Sequence, residues 1–112
     1  MKKLLLYLLF LLGTSAFAQS ADVIQYIKKE SIGGEIDFTK AVEEKAGKSG
    51  LLLFDNVAYN KKDFAILLWS AKVKSLGIES SKKAKSLWEE INNREMTKPE
   101  SKALKKGFEA KL

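Results

Sequence analysis

The residues predict an all-α fold, a small bundle of four or five helices. Three observations carry that reading. Apolar residues recur at helical spacing in most long segments, capping residues stand at the joins, and residues 61–76 are apolar on two sides. A helix apolar on two sides needs neighbours on both, so it belongs at the centre of a bundle.

Ser20 caps a first helix over 21–30, where Val23, Ile24 and Ile27 share a stripe flanked by Tyr26. Gly33-Gly34 ends it, because paired glycines carry too much backbone freedom for a helix interior. Asp37 caps a second helix over 38–46, with Phe38, Ala41 and Val42 as its apolar edge and Gly47 as its stop. Residues 51–59 read two ways: a tight hairpin turning at Asp55-Asn56, or a short buried helix and its exit. The helical surroundings favour the helix.

Residues 61–76 form the strongest element, opened by Asn60 with Asp63 three positions on. Gly77-Ile78 supplies a glycine-plus-hydrophobe ending in which Ile78 folds back on Val73. At about 100° per residue, Phe64, Leu67, Leu68 and Ala71 lie on one face, and Ile66, Trp69, Val73 and Leu76 nearly opposite. Ser80 or Ser81 caps the next helix, over 82–95, whose stripe is Ala84, Leu87, Trp88 and Ile91. Lys85–Glu89 and Glu90–Arg94 are spaced there for pairs one turn apart. Thr97-Lys98-Pro99-Glu100 reads as a capping box with proline in the first turn. The last helix, over 99–111, is expected to be weak: its apolar positions are Leu104, Phe108 and Leu112, and Gly107 costs it about 1 kcal/mol against alanine. An end of that kind frays, or is ordered by a partner.

Ahead of these elements stands an address. Met1-Lys2-Lys3 is a basic start, Leu4 to Leu12 is nine apolar residues in a row, and Ala16-Phe17-Ala18 puts small residues where a signal peptidase inspects them. The pattern is that of a secretory signal peptide over 1–18, cut between Ala18 and Gln19. The apolar run falls far short of the roughly 20 residues of a spanning helix. The expected product is one domain over 19–112, periplasmic or secreted, away from ATP, NAD and the chromosome.

Composition narrows the chemistry. There is no histidine and no cysteine, which excludes imidazole or thiolate metal sites, disulfides, and the Ser-His-Asp and Cys-His arrangements. Neither cofactor nor metal is expected. Nineteen of the twenty basic residues are lysine and one, Arg94, is arginine, so the bidentate fork that reads bases is nearly missing and specific nucleic-acid binding is not expected. Residues 19–60 hold five lysines against seven acids, whereas residues 61–112 hold thirteen basic residues against seven acids. A basic half suits an acidic partner, an envelope polymer or an anionic membrane surface, and also serves as plain solvated helix faces.

Several local patterns have ordinary explanations. Ala46-Gly47-Lys48-Ser49 imitates the tail of a phosphate-binding loop, but Val42 stands where the leading glycine belongs. Glu43-Glu44 and Glu89-Glu90 are neighbours pointing about 100° apart on helices, not acids facing across a cleft. Glu35 and Asp37 lack the remaining ligands of a calcium loop. Trp88 sits on a single apolar stripe and reads as core. If the domain has too few neighbours to cover both faces of the central helix, Ile66, Trp69 and Val73 form an exposed patch, the candidate partner-binding surface.

The functional expectation is a small exported binding protein of the inhibitor or immunity type, docking on another envelope or extracellular protein without catalysis. The alternative is a lysine-rich helical protein that binds anionic membrane or envelope polymer. Self-association would help a cysteine-free domain of 94 residues to stabilise its core.

Overall fold

A computed structural model describes residues 21–110, so the expected signal sequence with Ala16, Ala18 and Gln19 lies outside the described residues, as does Leu112. The described chain runs α1 (residues 21–30), α2 (Thr39–Ala46), β1 (Leu51–Phe54), β2 (Val57–Asn60), α3 (Lys61–Ser75), α4 (Ser81–Asn92) and α5 (Lys98–Glu109). It is mostly helical, with one two-stranded antiparallel sheet.

That sheet corrects the helical expectation for residues 51–59. Leu51 pairs with Asn60, Leu52 with Tyr59, Leu53 with Ala58 and Phe54 with Val57. The deciding residues are Asp55 and Asn56, with φ of 53° and 64°. Two consecutive positive φ values make the primed turn whose twist matches paired strands, and Asp and Asn tolerate that region better than other non-glycine residues.

α3 is the central element, contacting α2, α4, α5 and both strands. Its two apolar faces feed two clusters. Ile66, Trp69 and Val73 join Ile27, Trp88 and Leu104 in the main core, while Phe64 and Leu68 cover Val42, Ala46 and Leu52. The Asn60 side chain caps α3 by accepting from the Asp63 N–H at 2.7 Å. At the other end Gly77 (φ 113°) lets the Ile78 N–H reach the Val73 carbonyl at 3.1 Å and its own N–H reach Lys74 at 3.0 Å. This is the Schellman ending, with Val73 and Ile78 both buried.

Asp37 acts one position earlier than expected. α2 begins at Thr39, and Asp37 accepts from the Thr39 N–H at 3.1 Å and from the Gly33 N–H at 2.7 Å, tying the α1–α2 loop to the helix start. Burial would raise its carboxyl, but those bonds outweigh it and lower the pKa.

α5 is firmer than its apolar positions suggest. Thr97 and Glu100 form the capping box with Pro99 in the first turn. Gly107, read from propensity as a weakness, is where α5 crosses α3: a Cβ there would stand 2.0 Å from the Leu67 carbonyl oxygen. One residue of poor helix propensity thus permits a close backbone approach between α5 and α3. Ser70 completes the crossing by donating to the Leu104 carbonyl at 2.6 Å.

The expected pairs along α4 do not form. Asn93 takes a left-handed conformation (φ 53°, ψ 41°) that turns the chain, so Arg94 leaves the helix surface and meets Glu100. Glu90 pairs instead with Lys28 at 2.9 Å, and Glu89 accepts from the Met96 N–H at 2.8 Å.

Candidate functional site

Ile66, Trp69 and Val73 do not form an exposed patch; they are 5 %, 4 % and 0 % exposed. α1, α4 and α5 supply the neighbours that cover them. Trp69 is further fixed by its indole N–H, which donates to the Ser31 hydroxyl at 2.8 Å, while that hydroxyl donates to the Ile27 carbonyl. Trp69→Phe should lose about 1 kcal/mol of stability, read as an earlier urea midpoint with an unchanged slope.

Two of these residues nevertheless floor a cleft of about 450 Å³ between the α1–α2 loop, the first half of α3 and the end of α4. Ile36, Ile66, Trp69 and Trp88 form its apolar base, with Lys61 and Glu43 at the rim. Arg94 lies over the Trp88 ring, 4.6 Å from its centroid, and makes a two-pronged contact with Glu100 at 2.8 and 2.7 Å. Lys62 adds an ion pair to Glu100 at 3.1 Å. Glu100 is 2 % exposed, and the Arg94 guanidinium holds its carboxyl well below the usual carboxylate range against the opposing effect of burial. Asp63, nearby on α3, moves the other way: burial, and then the Glu100 charge, raise its pKa.

These charges serve the architecture. Glu100 holds Arg94, Lys62 and the α5 cap, and Asp37 holds the loop. Glu35, weighed as a calcium ligand with Asp37, accepts instead from the Tyr26 hydroxyl at 2.6 Å. Among the described residues, no three acids, histidines or cysteines gather as a metal site.

The hairpin, the alternative reading of residues 51–59, is a surface that the sequence did not single out for binding. Leu53 is 77 % exposed, Leu51 57 % and Val57 46 %. Side chains alternate across a strand, so burying Leu52 against α2 and α3 forces Leu51 and Leu53 outward. In a two-residue hairpin the pair flanking the turn is hydrogen-bonded and bonded pairs alternate from there. Leu52 and Phe54 therefore bond to β2, while the N–H and C=O of Leu51 and Leu53 point away. The Ser49 hydroxyl engages both groups of Leu51, at 3.4 and 3.0 Å. Those of Leu53 have no partner among the described residues. The signal available in the sequence was Asp-Asn between two short apolar runs.

No protein-family model, no characterised protein and no solved structure matches the chain.

Proposed function

We propose that the chain is an exported, non-catalytic binding module that docks on another protein through its β-hairpin. The observation that carries the reading is the unguarded strand β1: two large exposed leucines beside an open backbone edge, with no charge between Gly50 and Phe54. Soluble proteins normally blunt such edges with lysine, proline or a covering element, because an open apolar edge recruits another strand. Here thirty per cent of the chain is charged, yet this strand has none of it. Strand addition suits the exposed backbone groups of Leu53, with the partner's side chains meeting Leu51 and Leu53.

Export rests on the amino-terminal pattern and sets the compartment, envelope or extracellular, in which the partner is sought. The commitment of Glu100 and Asp37 to structural bonds, and the lack of histidine and cysteine, favour binding over catalysis.

The test is affinity capture from the envelope of the source cell, with the 19–112 chain and its Leu53→Lys variant as baits. Leu53 touches no core cluster, so the variant should keep the wild-type unfolding midpoint. The expected result is one stoichiometric partner on the wild-type bait, reduced at least tenfold on the variant. Equal capture by both baits would remove the hairpin from the function.

A further inference from the structure

We infer that the outward stripe of α5, Lys98, Lys102 and Lys105, is a binding surface for a flexible phosphate polymer. The inference is independent of the hairpin. The three lysines are exposed and fall within about 60° of arc over about 10 Å of helix, opposite the side that buries Glu100, Ala103, Leu104 and Gly107.

Alignment separates this stripe from the other unpaired lysines, since Lys82, Lys83 and Lys85 spread over about 160° of α4. Lys62 is held by Glu100, Lys106 by Asp55 at 2.5 Å and Lys28 by Glu90, while Lys74 lies over the Phe108 ring. Lys98, Lys102 and Lys105 make no ion pair among the described residues. On α2 the lysines alternate with Glu43 and Glu44, and on α4 they share the surface with Glu89 and Glu90. On α5 Glu100 is buried on the opposite side, and the exposed acid is Glu109, at the last turn. α5 is also held rigid, by its capping box and by the close approach at Gly107, so the three ammonium groups project from a fixed axis.

The chemistry of the stripe selects among anionic partners. Lysine ammonium groups are point charges that attract phosphate without bidentate geometry, which suits a polymer of repeated anions more than a shaped acidic pocket. A lipid surface calls for apolar side chains beside the cations, and this stripe carries none. Each lysine that meets a phosphate releases a counterion, so binding falls steeply with salt.

The experiment titrates the 19–112 chain with long-chain inorganic polyphosphate across a salt series. Two triple variants of equal charge change are compared: Lys98→Gln, Lys102→Gln and Lys105→Gln on α5, and Lys40→Gln, Lys45→Gln and Lys48→Gln around α2. All six positions are exposed, and matched unfolding midpoints confirm intact folds. The α5 triple should weaken binding at least about tenfold at low salt and lower the slope of log affinity against log salt by about three, one per lysine. The α2 triple should stay near the wild type. Equal losses in both triples would show an effect of net charge alone and overturn the inference, as would no polyphosphate binding at low salt. Vesicles of phosphatidylglycerol binding more tightly than polyphosphate, with the same loss in the α5 triple, would reassign the stripe to lipid and overturn it too.

Discussion

Gly107→Ala should destabilise the protein by about 3 kcal/mol, at the upper end of over-packing losses. Helix propensity alone forecasts the opposite, a gain of about 1 kcal/mol. The sign of the change therefore separates the two effects. A Cβ at 107 would meet the carbonyl oxygen, carbonyl carbon and Cα of Leu67 at 2.0, 2.7 and 2.9 Å. All three are backbone atoms of the central helix, so no side chain can swing aside. Relief requires α5 to move off α3, which would stretch the 2.6 Å bond from Ser70 to the Leu104 carbonyl and open the core around Leu104 and Phe108. Against a typical domain stability of about 5–15 kcal/mol, that loss is a large fraction. Urea unfolding of the wild type and the variant reads it directly. A stabilised Gly107→Ala protein would mean that α5 does not sit where the helix crossing places it.

Glu100→Gln should cost about 3 kcal/mol at neutral pH, because it removes the charged oxygen that Arg94 and Lys62 share, while the amide oxygen can still serve the capping box of α5. Its pH dependence has a definite sign. The folded pKa of Glu100 lies below its unfolded value, so the unfolded chain takes up the proton first as pH falls. The contribution of Glu100 is complete above the ordinary glutamate range of about 4.3 and is lost progressively as pH drops below it. The stability gap between wild type and Glu100→Gln should be widest near neutrality and narrow below that range. Asp63 has the opposite sign: its raised pKa makes the charged form a cost to the folded state that acidification relieves. A gap that held constant into strong acid would show that the Arg94–Glu100 contact contributes through its shape alone.

Much of the helical framework is legible from local rules. Asn60, Gly77-Ile78 and the Thr97–Glu100 box each do in space what their residue types dictate, since a cap is decided by atoms within one turn. The two apolar faces of α3 foretold its central place, because a helix cannot bury both without neighbours on both. What escaped local reading depended on distant atoms. Gly107 is a propensity penalty in sequence and a helix crossing in space, and only the position of Leu67 tells the two apart. Arg94 sits one turn from Glu90 in sequence, but the left-handed Asn93 sends it to Glu100. The hairpin was concealed for a related reason: four apolar residues fit a strand or a buried helix alike, and positive φ at Asp55 and Asn56 settles the choice.

The candidate surface moved for the same cause. Trp69 attracts attention as an aromatic on an over-apolar helix, yet its indole N–H is satisfied by Ser31 and its ring is enclosed. Leu53 attracts none in sequence, since one leucine among three looks like core. Strand alternation alone turns it outward, and the turn geometry leaves its backbone groups open.

Amide hydrogen exchange of the 19–112 chain, alone and with its captured partner, reads that edge residue by residue. The Leu53 N–H should exchange rapidly in the unbound protein and become strongly protected in the complex, while the buried helices change little. A tight complex that protects the cleft around Trp88 and leaves the Leu53 amide as fast as before would contradict docking by strand addition.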